Sequence, residues 1–158
     1  MSDARSFPAS LLPSTLLLLL WGVWWGGLTL YAAIVVPIGT QSVGSIEQGF
    51  LTQRVTGWLN AIGIIMVLSM GLFSLRSYRN RRGLFAMATL EGILLVALMQ
   101  YRVRLTNQMD YVARDVADGF YHQHAIYLWL TTLQWLLGLA IPIFILKTGM
   151  SVPLRSSR

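Results

Sequence analysis

What most limits the fold of this chain is where its charges are missing. No Asp, Glu, Lys or Arg occurs from Ser6 to Ile46, from Val55 to Leu75, or from Gly119 to Leu146, and the stretch from Gly83 to Tyr101 holds only Glu91. A helix needs about 20 mostly apolar residues to cross the hydrocarbon of a bilayer. Each of the four tracts reaches that length. Composition agrees, because 55% of the residues are hydrophobic and 11% charged, with a mean hydropathy of +0.60. A water-facing domain carries about 25% charged residues. The expectation is an all-α, integral membrane four-helix bundle, a single domain over residues 1–158, with helices at about 12–36, 52–75, 84–101 and 120–146.

Local signals set the boundaries. The first apolar run continues well past the length of a signal-peptide core, and no A-x-A site ends it, so it is expected to remain as a helix. Pro37 suits that helix's exit. Ser45 and Gln48 have the spacing of an S-x-x-Q capping box, which would start the second helix before Thr52. Pro142 should bend the last turns of the fourth. The amphiphilic segment TNQMDYVARDVADGF is expected to extend one of its neighbours.

The net charge of +6 does not point to nucleic acid. Arginines that flank membrane segments face anionic headgroups, and no basic surface with interleaved aromatics is present. With no cysteine, disulfides, thiolate metal sites and cysteine nucleophiles are excluded. Short loops rich in Lys and Arg stay in the cytoplasm. Arg76, Arg79, Arg81 and Arg82 share a side with Arg5, Lys147, Arg155 and Arg158. Arg54, Arg102, Arg104 and Arg114 lie on the other, partly neutralised by Glu47, Asp110, Asp115 and Asp118. Both termini are therefore expected in the cytoplasm, in a bacterial inner (plasma) membrane.

Residues three or four apart share a helix face. That spacing makes a stripe of Gly22, Gly26, Thr29 and Ala33 on the first helix, with Gly22 and Gly26 as a GxxxG pair and Gly27 beside them. The second helix carries Gln53, Thr56, Asn60, Gly63, Val67, Gly71 and Ser74. The third has Glu91, Leu95, Leu98 and Arg102. The fourth has His124, Tyr127, Thr131, Gln134 and Gly138. In lipid, small residues let backbones approach and polar ones seek partners on other helices, so these stripes predict a polar seam inside the bundle. Mere helix glue explains them as well as a binding site does.

Glu91 stands out within that seam. It lies ~14 Å past Arg82 along a helix, at 1.5 Å per residue, near the middle of the membrane. An ionised acid there costs at least ~2.5–3.5 kcal/mol. It should face inward, protonated or hydrogen-bonded, with Thr131, Thr132 and Gln134 nearest in depth. Intramembrane acids often mark ion or proton paths.

Other chemistry is thin. His122 and His124 point to nearly opposite faces and cannot share a metal. No other helix supplies a histidine for a second haem ligand, which leaves a single axial His124 or a ligand pair across a homodimer. Met66, Met70, Met87 and Met99 could suit Cu(I) but are more simply gap fillers. Trp24 and Trp25 lie too deep to anchor at an interface and should pack against a neighbour or face lipid. No nucleophile–base pair, paired carboxylates or phosphate loop appears, so no metal and no cofactor is assigned.

The segments LWGVWWGGLTLYAAIVVP, LTQRVTGWLNAIG and FYHQHAIYLWLTTLQWLLGL together resemble the transmembrane-protein-205-like proteins and their bacterial relatives, small four-helix membrane proteins of unsettled activity. The resemblance covers most of the chain. It implies Trp25, Gly26, Gly27, Pro37, Arg54, Asn60 and His124 as signature positions. The chain departs from it at Thr132 and Gln134, where the family pattern implies Asn. A fainter likeness of the W-x-G-G opening to copper-resistance D membrane domains and haem-linked protoporphyrinogen oxidases is opposed by the sparse histidines.

The expected function is that of a small membrane protein whose seam of Arg54, Asn60, Glu91, Arg102, His124, Tyr127, Thr131 and Gln134 binds or conducts a small polar species or a proton. A structural or assembly subunit is the alternative, and a haem- or metal-linked oxidoreductase a third. Membrane lipid is the expected partner, together with a homo-oligomer or a membrane-complex subunit, and nucleic acid is not.

Overall fold

A computed structural model describes residues 12–76 and 78–150, with backbone only at 78–80, 149 and 150. Arg5, Arg79, Arg155 and Arg158, counted above toward one side of the membrane, lie outside the residues whose side chains are described. The described chain runs α1 (Leu12–Leu30), a π-helical turn (Tyr31–Val35), α2 (Val36–Val43), α3 (Ser45–Leu75), α4 (Tyr78–Thr106), β1 (Met109–Asp110), β2 (Asp115–Val116), α5 (Phe120–Gly138) and α6 (Ile141–Met150). Four spans are long and apolar enough to cross a membrane: Leu12–Val43, Ser45–Leu75, Arg81–Thr106 and Phe120–Thr148. They pack together as an all-α bundle, and many of their large apolar side chains point outward, including Trp58, Leu72 and Trp129 at 75%, 67% and 76% exposure. In water that pattern would be costly, whereas against acyl chains it is expected.

Pro37 does not end the first span. A proline lacks an N–H, and its ring clashes with the carbonyl four residues back. The chain resolves this with a wider turn, in which the Val36 N–H reaches the Tyr31 carbonyl, a π-type bond. Pro37 then sits in the first turn of α2, where prolines are tolerated, and the helix continues to Val43. The chain reverses at Gly44, whose φ of +92° suits only glycine without strain. The capping box is not formed. Gly44 precedes α3 with no side-chain cap, and the Gln48 amide turns toward Tyr31 and Thr52 instead.

The segment after α4 also differs from expectation. It forms a small antiparallel hairpin, with Met109 opposite Val116 and Asp110 opposite Asp115. The Asp110 carboxylate accepts the Val112 and Ala113 N–H groups at 2.8 and 2.9 Å, a local turn that competes with helix. Arg114 takes the left-handed conformation, φ 57°, at the end of that turn. An Arg114–Glu47 ion pair and a Phe50–Tyr111 ring contact lay the hairpin against α3.

The first span turns a different face inward from the one its small residues suggested. Gly22 is exposed, and a Cβ on Gly22 or Gly26 would meet nothing within 4 Å, while one on Gly27 would only touch Leu59. Ala33 is exposed too. The buried residues are Ser14, Leu17, Trp24, Leu28 and Tyr31. Large side chains of α1 enter the bundle, and the glycines that receive them are on other helices. A Cβ on Gly63 would stand 2.7 Å from the Trp24 indole nitrogen, and one on Gly138 would stand 2.5 Å from Trp25.

The break between α5 and α6 explains why tryptophans gather there. Pro142 has no N–H to offer the Gly138 carbonyl. The Leu139 N–H shortens its bond to Leu136, which leaves the Trp135 carbonyl without a helical partner. Trp21 donates its indole N–H to the Gly138 carbonyl at 2.9 Å, and Trp25 donates to the Trp135 carbonyl at 3.0 Å. Trp135 returns a bond to Thr29 at 2.8 Å. The three rings stack in order, Trp21 on Trp25 and Trp25 on Trp135. The Gly138 carbonyl, freed by the proline, and the Trp135 carbonyl, freed by the shortened bond at Leu139, are thus capped from the first span, as a low-water environment requires.

Below this belt, Leu17, Met66, Met70, Leu84, Ala88, Ile141 and Ile145 form a dry apolar core with Trp24. Met66 and Met70 are gap fillers there, 1% and 0% exposed. At that end Arg81 interrupts the regular dihedrals of α4, donates to the Phe73 carbonyl at 2.8 Å and lies over the Phe73 ring.

Candidate functional site

The bundle has two unlike halves. Toward the Arg76–Arg82 link its core is mainly apolar, with an open pocket of about 240 Å³ at its surface beside Pro13, Leu17, Leu72 and Arg76. Toward the hairpin a cavity of about 370 Å³ opens among all four spans. Its polar wall comes from Gln48, Thr52, Gln53 and Thr56 of α3, Arg102 of α4, and His124 and Tyr127 of α5. Its apolar wall includes Ala32, Val36, Leu105, Phe120 and Leu128. A mostly apolar hollow with a few convergent polar groups is the usual form of a small-molecule site.

Among the described residues, Arg102 is the only charged side chain lining it. Its Nε and Nη2 donate to the Gln53 carbonyl at 3.4 and 3.1 Å, and its guanidinium lies so close to Gly57 that a Cβ there would stand 2.7 Å from Nη2. No acid pairs with it among the described residues. Gln53 is fixed at both ends of its amide: Nε2 donates to Thr106 at 2.8 Å, and Oε1 accepts from the hairpin's Tyr111 at 2.7 Å. Gln48 is 4% exposed and donates to both Tyr31 and Thr52 at 3.3 Å. Gly39 gives it room, since a Cβ there would collide with the Gln48 amide.

His124 stacks on Phe120 with centroids 5.6 Å apart, and its ring nitrogens make no hydrogen bond among the described residues. Tyr127 lies beside Thr56, Asn60 and Thr131, near the Arg102 charge. The Asn60 amide nitrogen is buried with no partner. Thr131 donates to the Tyr127 carbonyl of its own helix, and Thr132 likewise to Leu128, so neither threonine reaches across to α4.

Glu91 lies deeper, ~16 Å along α4 from Arg102. It is 0% exposed and Gln134 is 2% exposed. Gln134 is the polar side chain alongside the acid. They do not meet in hydrogen-bond geometry, because both Glu91 oxygens and Gln134 Nε2 are buried without a partner. Such atoms are rare in folded proteins, and each calls for an explanation.

Arg54 is separated from this group. It borders a shallow groove with Val43, Glu47, Phe50, Leu51, Tyr111 and Arg114. Its place on the helix explains this: Arg54 is exposed while its neighbours Gln53 and Thr56 turn inward. Gln48, Thr52 and Tyr31, which bond one another beside the cavity, lie outside the polar stripes expected from the sequence. With α3 starting at Ser45, the four-residue spacing of Asn60 and Thr56 continues backward to Thr52 and Gln48. Among the described residues no three His, Asp or Glu side chains gather as a metal site. Comparison with family models, curated proteins and solved structures finds no match.

Proposed function

We propose that this chain is a small multi-pass protein of a bacterial inner membrane, related to the transmembrane-protein-205-like proteins, and that its spans hold a polar seam that binds or conducts a small polar species or a proton. The mouth of the seam is the cavity around Arg102, His124 and Tyr127. Its floor is the Glu91–Gln134 pair, with Asn60 and Thr131 between. The basic link at Arg76, Arg81 and Arg82 marks the cytoplasmic end, which places the hairpin and cavity outside and both termini inside.

The observation that carries this reading is the set of buried atoms left unpartnered at Glu91, Gln134 and Asn60. The indoles of Trp21 and Trp25, which tie the first span to the last, are bonded, whereas these three side chains keep free polar atoms within one stretch of the interior; Ser14, Gln108 and Gln123 do so singly elsewhere. The second reading, an assembly subunit, draws on Arg102, whose bonds to the Gln53 carbonyl tie α4 to α3.

Glu91→Gln tests the choice. In reconstituted vesicles the substitution should abolish proton or solute flux while leaving thermal stability within about 1 kcal/mol. Flux that is unchanged in a folded variant contradicts a site at Glu91, and loss of folding alone favours the structural reading.

A further inference from the structure

The rim of the cavity is exposed at two places: at the α2–α3 turn, around Thr40 and Ser45, and on the apolar flank of the bundle, between Ala32 and Leu128. α1 meets α5 around Trp21, Trp25 and Trp135, whereas beyond this belt α2 packs on α3 and Tyr31 of the π-turn bonds Thr52 and Gln48 of α3. The flanks of the gap are Ala32 and Val36 on one helix and Phe120 and Leu128 on the other, all lining the cavity. Ala32 and Leu128 are exposed. The polar wall lies opposite. A molecule lying across this gap would have its head against Arg102 and its tail among acyl chains.

The charge selects the kind of head. Arg102 is a lone cation in the cavity wall, with neutral neighbours Gln53, Thr56, His124 and Tyr127 and no acid among the described residues. Two of its donor groups are held by the Gln53 carbonyl, and Nη1 carries no bond. One cation with neutral donors balances one negative charge. A doubly charged phosphate would leave charge uncompensated in a low dielectric. Size limits the tail. At about 370 Å³ the cavity is at the small end of ligand pockets. That suits one head and the start of one chain, the rest of which would lie in the gap.

We propose that the Arg102–His124–Tyr127 cavity binds a single-chain anionic amphiphile, a fatty-acid-like carboxylate, admitted sideways from the bilayer between Ala32 and Leu128. The carboxylate accepts from Arg102 Nη1 and from the Tyr127 hydroxyl or a His124 N–H, and the chain leaves past Val36, Phe120 and Leu128. This rests on the reading of the cavity as the mouth of a binding seam.

The experiment uses the full chain in lipid nanodiscs. The probes are a fluorescent polyene fatty acid, its methyl ester, and butyrate as a water-soluble carboxylate with almost no tail. The acid should bind saturably, about tenfold or more tighter than the ester, as expected for loss of one charge-assisted hydrogen bond. Arg102→Gln should remove that preference. Leu128→Trp, which narrows the gap without touching the polar wall, should weaken the acid and leave butyrate unchanged. Equal binding of acid and ester to the unaltered protein overturns the proposal without requiring any variant to fold. Saturable, Arg102-dependent binding of butyrate with no gain from the longer chain also overturns it, while leaving a polar site in place. If neither carboxylate binds, the amphiphile is wrong, and the Glu91→Gln flux measurement alone decides the seam.

Discussion

A buried carboxyl group with no hydrogen-bond partner is a standing cost, and Glu91, fully buried among the candidate membrane spans, is the clearest case among the described residues. Both its oxygens are buried without a donor. If the acid is kept for what it does, then removing it should make the fold more stable. Glu91→Leu, which fills similar volume with apolar atoms, should raise unfolding free energy by about 1–3 kcal/mol, measured by denaturation in mild detergent. A loss of similar size would show that the acid holds the bundle together. The glycines make a second contrast. Gly63→Ala and Gly138→Ala force a Cβ into the Trp24 and Trp25 indoles and should each cost about 1–3 kcal/mol through overpacking. Gly22→Ala and Gly26→Ala meet open space and should be neutral or gain up to about 1 kcal/mol of helix propensity. The same melts decide both, and a destabilised Gly22→Ala would mean that the GxxxG pair does have a partner.

At the scale of elements, prolines and tryptophans act together. Trp21→Phe should destabilise the fold by about 1–3 kcal/mol, because it leaves the Gly138 carbonyl unbonded. Pro142→Ala restores an N–H that can reach that carbonyl. In the Pro142→Ala background the penalty for Trp21→Phe should therefore shrink, and a double-mutant cycle reads this as a coupling. Strict additivity would show that the indole and the proline are unrelated. The hairpin offers a pH test. Backbone N–H groups of Ala113 and Val112 hold the exposed Asp110 carboxyl below the usual aspartate range. A depressed acid stabilises its fold above the unfolded value and loses that contribution as pH falls through the folded one. Hairpin order, followed by the Val112 and Ala113 amide resonances, should thus persist at neutral pH and fade only in acid below the ordinary aspartate value. Fading at or above that value would contradict the Asp110 turn.

For the whole molecule, the sequence shows the bundle more readily than its interior. Charge-free tracts mark the four spans because lipid penalises charge regardless of packing. Inward faces were legible where polar residues repeat, as at Tyr127, Thr131 and Gln134 of α5, and failed on α1. There small residues suggested close backbones, yet the large indoles turn inward, since their N–H groups have carbonyls to bond that exist only because Pro142 breaks a helix more than a hundred residues away. No local pattern carries that information. The hairpin was hidden for a related reason: the Asp110 turn and the Tyr111–Gln53 bond are choices made between segments. Arg102 and His124 were legible as candidates, and the cavity between them was not, because it is lined from all four spans.

The native chain has no cysteine, so single substitutions can report on the interior directly. The most direct measurement compares Thr56→Cys, inside the cavity, with Trp58→Cys on the outward face, in lipid nanodiscs. Each is exposed to small thiol reagents of opposite charge. The account predicts that Thr56→Cys reacts, faster with the anionic reagent because Arg102 concentrates anions there, while Trp58→Cys stays protected by lipid. An inert Thr56→Cys, a preference for the cationic reagent, or a readily labelled Trp58→Cys would contradict it.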